Sequence, residues 1–439
     1  MRGIDNFPKQ AILFLFLLFA FTLLPVYSQN NSEKTDDFII KIAIISPGDE
    51  IYMWWGHIVL IVENTRRNNS RIFEWGAFTY PSDSFIKDFI QGNVRYMCTS
   101  SNLDMDLLTK MDWEIKAYTL NLDTNAKRAI INYAENSVLP ENCYYDYQEL
   151  RDNCSTRIRD IIDMGTRGQF KAAFSGGGGR YTTRQLLRRY TWFKPFSDWF
   201  LCFLMGQNFD KKITPWEGMF LPVEIPRNII NFTYTDDAGV ERKLVSSVET
   251  VNSLKKQPPI LSEAPAAWPF SLLAGVITGA FLFFIKVLGT KHRPAAMVVL
   301  GLSQVFLGFF LGVSGCILGF GLLFMNDFIR QNVNILFVNP LLLVIVPLGI
   351  ISMVKNCKLT NPGQKSPLSD KILRIIWSFI FIAECLTLLL RIFPFLYQQN
   401  LGVLGLIAPV AFALSGFPEK IFRFCAGLYN RKVFPRSSA

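Results

Sequence analysis

The sequence predicts an exported α+β domain followed by an all-α membrane bundle of about five helices. Three observations predict it: an apolar run behind two basic residues at the N-terminus, alternating β-branched segments from about residue 41, and long apolar runs after residue 268. The composition agrees, since half of the 439 residues are hydrophobic, 39 of them Phe, and the mean hydropathy is positive.

At the N-terminus Arg2 and Lys9 precede the apolar stretch Ala11 to Leu24, and Pro25-Val26-Tyr27-Ser28 follows. This is the layout of a secretory signal peptide over 1–28, with Ser28 small enough to precede a cut; an uncleaved signal anchor is the alternative reading. Either places the next domain, 29–262, outside the cytoplasm.

The remaining 263–439 form the membrane domain. Its apolar runs are Trp268 to Gly289, Ala295 to Met325, Val333 to Val354, Ile372 to Leu390 and the shorter Leu401 to Phe417. Each is near the ~20 residues a helix needs to cross a bilayer core. The second carries Gly301, Gly308, Gly312, Gly315, Gly319 and Gly321, which allow either a tilted or a broken helix. Alternation from an exported domain puts Lys291-His292-Arg293, Lys355 to Lys371 and Lys420 to Arg436 on the cytoplasmic side. The opposite loops hold only Arg330, so the basic residues follow the positive-inside rule. Much of the net charge of +10 lies in these short segments, where it reads as topology and not as a nucleic-acid surface.

Within the exported domain, Lys41 to Ile45, His57 to Glu63 and Arg71 to Gly76 read as strands, with turns at Pro47-Gly48 and at Asn64 to Ser70. A helix is expected over Ser82 to Gln91 and another strand over Ala117 to Leu122. Asp123 then caps a helix running to about Ser137. Asp152-Asn153 opens a further helix, with Cys154 in its first turn and Ile158, Ile161 and Ile162 on one face. Gly176 to Gly179 reads as a mobile loop, or as backbone close to a ligand. The aromatic stretch Trp192 to Leu204 fits a helix at a membrane interface and equally a well-packed core helix.

Only two histidines occur, and His292 falls in a basic loop, so an exported imidazole acting as a base must be His57. Gly56 before it permits a close approach of backbone or ligand. A single histidine on a strand also has a purely structural reading. Cys154 adds weight to the chemical one, because backbone N–H groups and the positive dipole end at a helix N-terminus favour a thiolate and would hold a developing oxyanion. Thiolate beside imidazole is the minimal arrangement for covalent acyl transfer. The competing reading pairs the exported cysteines Cys98, Cys143, Cys154 and Cys202 in disulfides, with Cys143 only eleven positions from Cys154. One exported histidine and scattered cysteines give no metal-ligand spacing, and no cofactor is expected.

Trp55-Gly56-His57-Ile58, Glu74-Trp75-Gly76 and Asp152-Asn153-Cys154-Ser155-Thr156-Arg157, with Pro47-Gly48-Asp49 ahead and Met219-Phe220-Leu221-Pro222 behind, resemble the Lnb N-terminal periplasmic domain family over about Ile39 to Pro226. That family is similar to the circularly permuted papain-like proteins, including the NlpC-type amidases, in which histidine precedes cysteine as it does here. The resemblance implies a periplasmic, papain-like (NlpC-like) domain with Cys154 as nucleophile, His57 as general base and acid, and Glu74 as the orienting third group. Gly56, Asn153 and Arg157 would support the site, with a helix cap alone as the other reading of Asn153. It further implies a multi-pass protein of the bacterial inner membrane that acts as a lipoprotein N-acyltransferase. The donor would be a membrane phospholipid or other diacylglyceryl lipid, and the acceptor the N-terminal amine of a lipidated lipoprotein cysteine. An NlpC-like amidase cutting cell-wall peptides and a non-enzymatic membrane-anchored binding protein are the alternatives.

Overall fold

The structure is a computed structural model and describes residues 37–49, 53–78, 95–102, 113–253, 260–289, 294–323, 328–358 and 366–421. The expected signal peptide, the helix expected over Ser82 to Gln91, and the basic segments around His292 and beyond residue 421 lie outside the described residues.

The chain divides into two compact units, and the division is not one cut. Unit 1 comprises 1–80, 95–176 and 219–257; unit 2 comprises 81–94, 177–218 and 258–439. Residues 177–218 therefore group with the apolar helices although they lie between two pieces of the first unit.

Unit 1 is α+β. Its sheet contains β1 (Phe38–Ile45), β2 (His57–Asn64), β3 (Asn69–Phe78), β4 (Arg95–Asn102), β5 (Ile115–Leu120), β6 (Tyr144–Asp146) and, later in the chain, a strand Val245–Asn252. The spatial order is β6, β4, β3, β2, β1, β5 and the late strand, and each neighbouring pair is antiparallel. Branched residues fill both faces of the central strands: Ile40, Ile42, Ile58 and Leu60 are fully buried, while Ala43, Val59, Ile61 and Ile115 form a separate cluster. Such runs suit strands covered on both sides. The β2–β3 turn places Asn68 at φ 46°, a left-handed conformation that asparagine tolerates.

Helix α1 (Thr124–Ser137) begins where Asp123 accepts a hydrogen bond from the Ala126 N–H at 2.9 Å, and it buries Ala126, Ile130 and Ala134. Helix α2 (Cys154–Gly165) buries Ile158, Ile161 and Ile162 and packs on β2 and β3. A short helix, α3 (Gln169–Ser175), follows.

Unit 2 contains α4 (Thr183–Arg188), α5 (Pro195–Leu204), α6 (Trp268–Gly289), α7 (Pro294–Leu323), α8 (Ile345–Cys357), α9 (Leu368–Leu390) and α10 (Leu401–Leu414). Among the described residues, four segments are long and apolar enough to cross a membrane: Trp268–Gly289, Pro294–Leu323, Val333–Cys357 and Leu368–Leu390. The fifth expected run forms a shorter apolar helix, Leu401–Leu414. Fourteen residues of α10 at ~1.5 Å each reach only about two-thirds of a ~30 Å hydrocarbon core. Its apolarity has another cause, since Val403, Leu404, Ile407, Val410, Ala411 and Leu414 all lie in the bundle core. A helix that is apolar all round is either an interior helix or a membrane span, and the burial of α10 fits the first.

The glycines serve this packing. Side chains at Gly275 and Gly279 of α6 would meet the Gly405 and Pro409 carbonyls of α10 at 2.3 and 2.6 Å. The glycine run of the second apolar segment does not break it: α7 is one helix of 30 residues, and Gly301, Gly308 and Gly312 lie against Met353, Ile345 and Leu343. The third segment is the irregular one, with 3-10 turns at Val333–Leu336 and Pro340–Val344 before α8.

Helix α5 has a buried face and an exposed one. Phe203 is buried in the bundle core and the Trp199 indole donates to the Gly402 carbonyl at 3.2 Å, whereas Phe196 is 72% exposed. Its C-terminal end is held by the buried Arg184, which pairs with Asp210 at 2.7 Å and donates to the carbonyls of Cys202, Met205 and Gly206. Among the four-glycine run, Gly176, Gly177 and Gly178 have open surroundings. Gly179 instead abuts the Ile213 carbonyl so closely that no Cβ fits.

Candidate active site

His57 opens β2, and the preceding residue sets its direction. Gly56 has φ +76°, and a Cβ there would lie 2.5 Å from the Ile45 carbonyl oxygen, so this turn requires glycine. The β2–β3 register pairs Leu60 with Phe73, which carries His57 opposite Gly76 and puts Glu74 on the diagonal. A Cβ on Gly76 would sit 2.5 Å from His57 Cε1; the space for the imidazole is the side chain that Gly76 lacks.

The pairing of β3 with β4 shifts between Glu74 and Ala77, where Trp75 and Gly76 face the single residue Cys98. Bulges of this kind re-aim side chains beside functional sites. Glu74 Oε2 lies 3.3 Å from His57 Nε2, and Thr99 Oγ1 donates to Glu74 Oε1 at 3.5 Å.

Cys154 is the first residue of α2 and is 9% exposed. Asn153 fixes that helix end from both sides. Its Oδ1 accepts from the Ser155 and Thr156 N–H groups, both at 2.9 Å, while its Nδ2 donates to the carbonyls of Glu149 and Phe220 at 2.7 and 3.0 Å. Thr156 Oγ1 accepts from the Asn153 N–H at 2.8 Å and completes a capping box. Ser155 Oγ donates to the Met219 carbonyl at 2.7 Å. The Met219-Phe220-Leu221-Pro222 motif thus braces the cysteine's helix, and Val223 beyond it packs beside Gly56.

Arg157 sits one turn further along. It forms a two-point ion pair with Asp152 at 2.6 and 2.7 Å and stacks over the Tyr145 ring at 4.6 Å. It holds the loop entering α2 and contributes no contact to the imidazole.

His57, Glu74 and Cys154 are therefore brought together from β2, β3 and α2. Burial pulls the imidazole's affinity for its proton down, but the charge and hydrogen bond of Cys154, joined by those of Glu74, more than offset it. The His57 pKa rises from 6.5 to about 10. Burial pushes the Glu74 carboxyl up, and its hydrogen bond and charge contact with His57 bring it below the ordinary value. An imidazolium beside a cysteine at a helix N-terminus is the setting in which thiolates occur.

The sign of the pH effect follows. Because the folded-state pKa of His57 is raised, its contribution to stability is complete below about pH 6.5 and is lost as pH climbs through about 10. In NMR of the His292→Ala protein, the single remaining ring should titrate near 10. In Cys154→Ser it should titrate well below that.

The cysteines Cys98, Cys143, Cys154 and Cys202 are all free thiols. Cys143 neighbours Cys98 across the sheet, with the Cys98 N–H donating to the Cys143 carbonyl at 2.8 Å. Sequence separation alone had made Cys154 its nearest partner.

Three residues near the site were not singled out from sequence: Tyr96, Tyr145 and Tyr147. All three phenols are raised by burial first and by the charge of Cys154 among the further causes. The Tyr144-Tyr145-Asp146-Tyr147 run just before Cys154 was the available signal.

Fold and site define a membrane protein whose α+β domain carries a cysteine–histidine–glutamate cluster. Residues 31–189 match the family model described as the Lnb N-terminal periplasmic domain, a span that contains all three residues. Over these residues the chain is similar to that periplasmic domain family, and together with the candidate membrane helices among the described residues this supports a membrane protein with a periplasmic domain. No curated protein and no solved structure matches the chain.

Proposed function

We propose that the protein is a lipoprotein N-acyltransferase of the bacterial inner membrane, with its periplasmic domain built on a circularly permuted papain-like plan. The observation that carries this reading is the His57 imidazole, 3.3 Å from Glu74 and with its pKa raised by Cys154, in a chain with four membrane-length helices among the described residues. The order histidine then cysteine, with the cysteine starting a helix packed on an antiparallel sheet, supports the papain-like plan.

The Cys154 thiolate attacks the ester carbonyl of a membrane diacylglyceryl lipid. The C–O bond breaks, and the imidazolium gives its proton to the departing alcohol. The lipoprotein's α-amine then attacks the thioester, the C–S bond breaks, and the amine's proton passes to His57. An amide results, and the thiolate is restored. With Nε2 held by Glu74, the imidazole keeps one orientation through both steps.

The test is expression in cells that lack their own lipoprotein N-acylation, followed by mass analysis of lipoprotein N-terminal peptides. Addition of one acyl chain to the N-terminal cysteine is the expected result. Unmodified N-termini together with shortened cell-wall peptides would replace this reading with an NlpC-like amidase.

A further inference from the structure

Two buried cysteines meet at one edge of the sheet. Strands β4 and β6 pair Arg95 with Asp146, Tyr96 with Tyr145 and Met97 with Tyr144. The next opposed residues are Cys98 and Cys143, and a hydrogen bond joins them directly: the Cys98 N–H donates to the Cys143 carbonyl at 2.8 Å. Opposed residues of an antiparallel pair send their side chains to the same face, with Cα atoms about 5.5 Å apart at a hydrogen-bonded position. That separation lies inside the roughly 4.4–6.8 Å that a disulfide spans. Both residues point into the protein, being 2% and 6% exposed.

In the structure both are thiols, and closing the bond asks little of the backbone. Opposed Cβ atoms must approach by about 1 Å to reach disulfide geometry. The Cys143 N–H is bonded to the Leu139 carbonyl and not back to Cys98, so a single bond holds the pair. Strand β6 is three residues long and forms the sheet edge, where Tyr144 and Asp146 are exposed. Such an edge opens locally at small cost, which admits an oxidant. Once the edge is closed, burial first and then the charges of Glu74 and Cys143 push the Cys98 thiol up to about 12, and exchange is slow. The other exported cysteines are placed elsewhere: Cys154 starts α2 beside His57, and Cys202 belongs to the second unit.

We propose that Cys98 and Cys143 are a disulfide-forming pair, joined by exchange with a protein disulfide oxidant of the exported space, while Cys154 stays a thiol. One thiolate of the pair attacks a sulfur of the oxidant's disulfide, forming a mixed disulfide and releasing the oxidant's first thiolate. The second thiolate then attacks the protein sulfur of that mixed disulfide and releases the other. Two cysteines lose two electrons and two protons to one S–S bond, and the oxidant leaves as a dithiol. The bond ties β4, opposite the bulge at Trp75 and Gly76, to the segment entering β6. It also removes the two thiols that could otherwise capture Cys154 where thiols are oxidised. None of this depends on which reaction Cys154 performs.

The test uses the full chain, exported in cells with an intact disulfide-forming pathway. Membranes are quenched in acid, dissolved in denaturant with N-ethylmaleimide, then reduced and treated with iodoacetamide, and each cysteine peptide is read by mass spectrometry. Iodoacetamide on Cys98 and Cys143, maleimide on Cys154, and a Cys98–Cys143 cross-linked peptide in the unreduced digest are the expected results. Reductant should also lower the thermal midpoint of the wild-type protein by several degrees and leave that of the Cys98→Ala/Cys143→Ala protein unmoved. Maleimide on both Cys98 and Cys143, or a bridge from either to Cys154 or Cys202, overturns the proposal. Should the double variant fail to accumulate, the wild-type peptide map decides alone.

Discussion

Membranes carrying Cys154→Ser are expected to acylate lipoproteins at a rate lower by about 10⁴-fold or more. The protein should still accumulate in the membrane. Serine preserves the size and polarity of the site, and the capping box that starts α2 depends on Asn153 and Thr156, not on the sulfur. What is lost is the group that the imidazolium pairs with, and a hydroxyl does not ionise as a thiol does. Quantitative mass spectrometry of lipoprotein N-termini, normalised to the amount of membrane-bound protein, measures it. Acylation at the native rate would remove Cys154 from the mechanism.

Gly76→Ala is expected to be nearly as damaging, although residue 76 has no chemistry of its own. The added methyl would lie 2.5 Å from His57 Cε1 and 3.3 Å from Nε2, so the ring must move. A displacement of about 1 Å at a reacting group costs on the order of 10²-fold in rate. The ring would also leave Glu74, and the His57 pKa should fall from about 10 towards 6.5. Acyl-transfer rate and ring titration should thus change together, while thermal stability should change less because the imidazole is partly exposed. A normal titration with a lost rate would mean that Gly76 serves substrate entry and not the imidazole.

Much of the first unit was legible where local signals are strong. The branched strands at 41, 57 and 71 and the helix behind Asp123 appear within a few residues of their expected limits, because alternation and capping are encoded locally. The outer strands were not legible. Arg95–Asn102 and Val245–Asn252 are rich in serine, threonine and exposed positions, and they become strands only by pairing with an existing edge. His57 and Cys154 stood out because exported histidine is so rare and because the cysteine follows capping residues. The role of Gly76 depends on a bulge, which has no one-dimensional pattern. Nor does apolarity separate α10, enclosed by its neighbours, from a helix bathed in lipid.

The excursion of the chain through residues 177–218 has a practical corollary for anyone wishing to study the periplasmic part in water. Ending the polypeptide after residue 262 would sever α5 from the bundle residues that cover its aromatic side. Phe203 and Trp199 would be stripped of Val403, Leu404 and the Gly402 carbonyl, leaving their aromatic surface exposed to water. A water-soluble fragment would have to excise that intervening stretch as well and rejoin residue 176 to residue 219 through a short polar bridge, so that only the sheet and its own helices remain.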